Sequence, residues 1–153
     1  MNDQPAQVGS QVTQEKWGAV VAKAGFTIVP NHLVAYNQFV PDDEKLSATE
    51  LYVLLQILLH WWGDAQMPFP SKTTLAVRTG LSPRQVQRVL GSLEEKELIR
   101  RVARFGDSNS GRMSNAFDLE PLVSKLKMLA RQYPTLRDRP AEKTKAPAVR
   151  PGL

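Results

Sequence analysis

The sequence predicts a mostly helical α+β fold in which two short helices meet at a tight turn and lead into a two-stranded β-hairpin. Three observations predict it. Amphipathic segments over residues 72–78 and 83–97 are joined through Gly80-Leu81-Ser82, with a serine placed to cap each one. The apolar spacing then changes from helical to alternating, first at 98–105 (LIRRVARF) and again at 115–119 (NAFDL). Finally, the charge is divided sharply along the chain. Residues 1–70 hold three basic and seven acidic side chains, a net −4, whereas residues 71–115 hold nine basic and four acidic, a net +5.

Composition narrows the function classes. The chain has 153 residues, is 42% hydrophobic and carries a net charge of +5, which suits one compact domain with tails. Cysteine is absent, so disulfides and thiolate zinc sites are excluded, and a reducing cytoplasm is the expected setting. The polar start MNDQPAQVGSQVTQ lacks the order of a signal peptide. The longest apolar stretch, 51–62, is interrupted by Gln56 and His60 and is short of the ~20 residues a membrane span needs. No membrane association is expected.

Taken in order, residues 1–12 read as disordered. A helix is expected over 13–25, capped by Thr13, with Trp17, Val20, Val21 and Ala24 on one side and Gly25 as its stop. FTIVP reads as a short strand with Phe26, Ile28 and Pro30 alternating, and NHLVAYNQFV is open between a short helix and an irregular piece. Residues 13–45 thus form an N-terminal extension. Ser47-Ala48-Thr49-Glu50 is a capping box opening a helix over 48–62, with an apolar stripe of Leu51, Leu54, Leu55, Leu58, Leu59 and Trp62.

Leu75 and Ala76 face inward on the next helix, and Gly80 ends it. Ser82 caps the following one, with Pro83 at its first position, where the missing N–H costs nothing. Its buried side is Val86, Val89, Leu90 and Leu93. DSNSGRMS connects the two strands, and EPLVSKLKMLARQ is a last amphipathic helix carrying Leu122, Leu126 and Leu129. The domain proper therefore spans 46–130. Residues 131–153, with six basic against two acidic side chains and four prolines, read as a disordered basic tail.

The positive middle segment points to a polyanionic partner. A helix following a bracing helix fits the major groove of duplex DNA, where side chains near its N-terminus reach base edges. Arg84, Gln85, Gln87 and Arg88 occupy those positions. Arginine forks onto guanine O6 and N7, glutamine onto adenine N6 and N7, and a good bidentate pair discriminates by ~1–3 kcal/mol. Backbone contacts are expected from Ser71, Lys72 and Thr73 at the start of the bracing helix, from Ser82, and from Arg104, Ser108, Asn109, Ser110 and Arg112 around the hairpin tip.

The run FPSKTTLAVRTGLSPRQVQRVLGSLEEKELIRR resembles the winged helix-turn-helix domains of bacterial regulators and of plasmid or phage replication proteins. Upstream, KWGAVVAKAGFTIVPNHLV and LSATELYVLLQILLHWW look like the front half of one group of them, helix-turn-helix proteins common on plasmids and in bacterial genomes. The resemblance covers residues 16–130. It implies a winged helix-turn-helix fold with additional N- and C-terminal helices and binding to double-stranded DNA. One departure is Glu97-Leu98-Ile99, where relatives carry Gly-Leu-Ile; Glu97 either extends the helix or alters how the wing leaves it.

Catalysis finds little support. His32 and His60 stand alone, Asp42-Asp43-Glu44 is a polar loop before a capped helix, and no phosphate-binding glycine loop is present. No metal, cofactor or enzymatic activity is expected. The leading expectation is a cytoplasmic, nucleoid- or plasmid-associated transcriptional regulator, homodimeric because two-fold proteins read palindromic sites. A plasmid replication or partition protein binding origin repeats, and a winged-helix protein-interaction module without DNA binding, are the alternatives. The small-molecule effector is unknown.

Overall fold

The structure, a computed structural model, describes residues 4–63, 66–106 and 112–140. Its elements in chain order are α1 (Gln4–Trp17), α2 (Ala19–Ala24), α3 (Asn31–Val34), α4 (Ala48–Leu59), α5 (Lys72–Thr79), α6 (Pro83–Glu95), β1 (Arg100–Phe105), β2 (Arg112–Asp118) and α7 (Glu120–Gln132). Two 3-10 turns, Tyr36–Gln38 and Asp42–Glu44, lie between α3 and α4.

The core gathers around α4, α5 and α6. Val53, Leu54 and Ile57 from α4, Leu75 from α5, and Val86, Leu90 and Leu93 from α6 are essentially fully buried, joined by Leu98, Ile99 and Leu122. Burial of such a side chain contributes ~1.5–3 kcal/mol, so the inward face of α6 fixes its orientation far more strongly than any surface contact. The buried stripe of α4 is rotated from the expected one. Val53 and Ile57 replace Leu59 and Trp62, which are 39% and 86% exposed. The helix stops at Leu59, so Trp62 lies beyond it and never reaches the stripe.

Both serine caps form as the sequence requires. Ser71 Oγ accepts from Thr74 N at 3.0 Å and Ser82 Oγ from Gln85 N at 3.1 Å. Gly80 follows α5 in the left-handed conformation, φ 73°, and turns the chain into α6. At the other end of α6 the helix is not extended through Glu97; it stops at Glu95. Glu97 takes the left-handed position itself, at φ 58°. The N–H of Glu97 donates to the carbonyl of Glu94 at 3.0 Å, and that of Leu98 to the carbonyl of Leu93 at 3.1 Å. This is a Schellman ending, with Leu93 and Leu98 buried together beneath it. Glycine adopts this conformation at little steric cost, whereas Glu97 adopts it under strain.

β1 and β2 pair antiparallel, Arg100 opposite Asp118 and Phe105 opposite Arg112. Between the pairs Val102–Ala116 and Arg104–Met113, β2 carries one residue more than β1, a bulge that bends the outer half of the hairpin. The loop before α5 lies along the inner half, where Phe117 N–H donates to the Pro68 carbonyl at 2.8 Å.

The termini depart from expectation. α1 begins at Gln4, inside the segment read as disordered; its only proline, Pro5, falls in the first turn, where it breaks no helical bond. The helix expected over 13–25 is divided by Gly18, whose φ of 82° and ψ of 161° are not helical. FTIVP forms no strand: it has no neighbour to pair with, and Phe26 and Ile28 are 53% and 83% exposed. NHLV is settled as the short helix α3.

The tail is ordered further than its composition suggests. α7 ends at Gln132, and Tyr133 then stacks on Phe39, which stacks on His32, at centroid distances of 5.4 and 4.8 Å. His32 Nε2 donates to the Tyr133 carbonyl at 2.6 Å, and Gln38 Nε2 to the carbonyls of Leu136 and Asp138. Aromatic stacking and these bonds outweigh the local proline and charge content. Residues 141–153 lie outside the described residues. Among the described residues, no helix is long and apolar enough to cross a membrane.

Candidate nucleic-acid interface

α5 and α6 pack against each other and both against α4. The face they turn outward begins with Lys72 and Thr73 on α5 and continues with Arg84, Gln87 and Arg88 on α6, all exposed. Arg84, Gln87 and Arg88 are three and four residues apart and share one side of the helix, opposite Val86, Leu90 and Leu93. Three of the polar candidates, Ser71, Ser82 and Gln85, have structural partners, and the Ser82 hydroxyl holds the α6 cap. The Ser71 hydroxyl holds the α5 cap and donates to Thr74 Oγ1 at 3.0 Å. Gln85 completes a capping box, its Oε1 accepting from Ser82 N at 2.8 Å. Its carboxamide oxygen therefore faces its own helix terminus, with only the NH2 left to donate outward.

Seven of the nine basic side chains of 71–115 separate into two groups. Lys96 pairs with Glu50 at 2.8 Å, Arg101 with Glu94 at 3.0 Å, and Arg100 with Asp118 at 3.3 Å. Arg78 meets His60 Nε2, while its carbonyl accepts from the Tyr52 hydroxyl at 3.2 Å. Burial, then the Arg78 charge, lowers the His60 pKa, so the ring is held neutral. Among the described residues, no ion pair involves Lys72, Arg84 or Arg88. Positive charge is thus neutralised around the base of the hairpin and left open on the outward face of α5 and α6.

Glu50 is the hub of the neutralised region. It is nearly buried in the first turn of α4, accepts from Ser47 N and Ser92 Oγ, and takes two bonds from Lys96 Nζ. Burial raises its pKa, but the Lys96, Ser47 and Ser92 hydrogen bonds and the Lys96 charge outweigh it and bring it to about 2. On the far side of α6, Glu94 receives both the side chain and the backbone N–H of Arg101. The hydrogen bonds from Arg101 lower its pKa. One carboxylate thus fixes the C-terminal end of α6 to α4 and the other fixes it to β1.

Residues 44–99 match the family described as helix-turn-helix domain. They form a helix-turn-helix domain. Curated proteins give no match to the chain. With the hairpin that follows, the fold is a winged helix-turn-helix.

The wing is attached to the helix-turn-helix domain by a contact the sequence did not reveal. The Arg104 guanidinium lies over the Phe69 ring, 3.9 Å from its centroid. Phe69 precedes the cap of α5, so wing and bracing helix are held to the same loop. Arg104 is therefore a wing anchor, half-buried. Arg112 opens β2, opposite Phe105. Ser108, Asn109 and Ser110 lie outside the described residues.

The histidines and the acidic cluster have structural surroundings. Asp42 pairs with Lys45, Glu44 with Lys125 of α7, and His32 sits in the aromatic stack. Among the described residues, no group of three His, Cys, Asp or Glu could hold a metal.

Proposed function

We propose that this chain is a sequence-specific duplex-DNA-binding protein, a transcriptional regulator that binds as a homodimer at chromosomal or plasmid sites. The observation that carries the reading is the sorting of charge: Lys72, Arg84 and Arg88 are exposed outside any described ion pair, while Lys96, Arg100 and Arg101 are paired away from that face. A helix with two arginines and a glutamine on its outward side has the donors that guanine and adenine edges require. Lys72, at the start of the bracing helix, is placed for a phosphate, and the hairpin is the wing that follows the backbone.

The test is selection of bound duplexes from genomic fragments, followed by gel shifts across a salt series. Recovery of palindromic promoter sites supports the regulator. Clustered direct repeats at an origin transfer the reading to a replication or partition protein. Absence of any shift, even at low salt, leaves a winged-helix protein-interaction module.

A further inference from the structure

α1 and α2 form an arm that packs mainly on itself. α2 has six residues and buries none of them. A helix that short has no stability of its own in water and needs a surface to lie on. Trp17, Val20 and Val21 on this arm are 67%, 85% and 51% exposed.

Next to the base of the arm runs an apolar groove of about 1020 Å3 between the 24–32 segment, the end of α4 and α7. Phe26, Ile28, Leu58, Trp62 and Leu126 line it, and Lys127 is the one lysine or arginine among its described lining residues. A small ligand filling it would still leave Trp17 and Val20 in water.

We propose that the chain self-associates by arm exchange, the Trp17–Val20–Val21 ridge of one copy entering the groove of a second copy and the reverse. This rests on the dimeric reading above and names its surface. The arrangement is isologous, each copy giving the same ridge and the same groove. Trp17, Val20, Val21, Phe26, Ile28 and Trp62 are between 51% and 86% exposed. Together they present on the order of 800 Å2, about what each partner contributes to a standard interface. Glu15 beside the ridge and Lys127 in the groove have opposite charge, and among the described residues neither is in an ion pair. No residue of α5, α6 or the hairpin lines the groove, so pairing there leaves both α6 helices open to DNA.

The absence of cysteine gives a clean test in the full chain. Val20→Cys and Ala130→Cys proteins, mixed and treated with a short bismaleimide, should yield a covalent species holding one chain of each kind. In sedimentation the unmodified chain should be dimeric at micromolar concentration and Val20→Asp monomeric with an unchanged circular dichroism spectrum. Glu15→Lys should weaken association a few-fold, and adding Lys127→Glu should restore it. A dimer that tolerates Val20→Asp and gives no mixed cross-link overturns the surface while leaving the dimeric reading standing. A chain monomeric at every concentration overturns both. Cross-linking within a doubly substituted monomer, with none on mixing, shows that the arm covers its own groove and also overturns the proposal.

Discussion

The Lys96 ammonium lies 2.8 Å from both carboxylate oxygens of Glu50, clamping the end of α6 to the first turn of α4. Both side chains are largely removed from water. Breaking such a pair leaves the surviving charge buried, which costs ~3–5 kcal/mol when burial is complete. Lys96→Met should therefore destabilise the fold by ~3 kcal/mol in urea unfolding. A cost below ~1 kcal/mol would place the pair with ordinary surface bridges.

The same pair gives a pH dependence of known sign. The Glu50 pKa is about 2 in the folded chain against an ordinary 4.5. A lowered carboxylate pKa contributes stability above the unfolded value and loses it as pH falls through the folded value. The contribution, on the order of 3 kcal/mol, should be complete above about pH 5 and fade towards pH 2. Comparing unfolding of the native chain with Glu50→Gln removes the effect of other carboxylates, Glu94 included. The stability gap between the two proteins should narrow over that window. A gap independent of pH there sinks the assignment.

Glu97→Gly should stabilise the protein. A left-handed non-glycine residue costs ~1–2 kcal/mol, and glycine gives back part of that gain through its freer unfolded state. Among the described residues Glu97 is exposed and in no ion pair, so its removal loses no described contact. A net gain of ~1 kcal/mol, a rise in Tm of ~2–4 °C, is expected by thermal unfolding. Loss of stability would mean that the Glu97 side chain has a partner of its own.

Caps, helical periods and the change to alternation were legible because they are local: Ser71, Gly80, Ser82 and the span of α7 can be read within a few residues. The identity of Glu97 was also visible, but its conformation depended on where α6 stops, which Leu93 and Leu98 decide together. The charge split was legible as a count and misleading as a map. Lys96, Arg100 and Arg101 are neutralised by Glu50, Asp118 and Glu94, and sequence distance conceals two of those three partners. Phe69 under Arg104 is likewise a long-range contact. At the ends, polarity suggested disorder, while the stacking of His32, Phe39 and Tyr133 across a hundred residues had no local signal.

Gln85 separates the two roles its position allows. As the capping-box residue it satisfies Ser82 N, and Gln85→Ala should cost ~1 kcal/mol of stability. Glutamate keeps the box and favours the helix N-terminus, so Gln85→Glu should retain full stability. In gel shifts it should nevertheless weaken DNA binding, since its charge faces the phosphates. If Gln85→Glu binds DNA like the native chain, α6 does not enter the groove by its N-terminal turn.

Arg88 and Lys72 should fail in different ways. Arg88 lies on the outward face of α6 beside Arg84 and Gln87, where base edges would be, and Lys72 opens α5, where a phosphate would be. Removing a base contact costs ~1–3 kcal/mol on the preferred site and little elsewhere. Removing a phosphate contact weakens all sequences alike and lowers the dependence of log affinity on log salt by about one unit. Arg88→Ala should therefore bring selected and random duplexes closer in affinity, and Arg84→Ala should do so at a neighbouring base. Lys72→Ala should preserve their ratio and flatten the salt slope. Binding isotherms for both duplexes at several salt concentrations decide it. A uniform loss from Arg88→Ala, with the selected-to-random ratio intact, would mean that α6 grips backbone and reads no base.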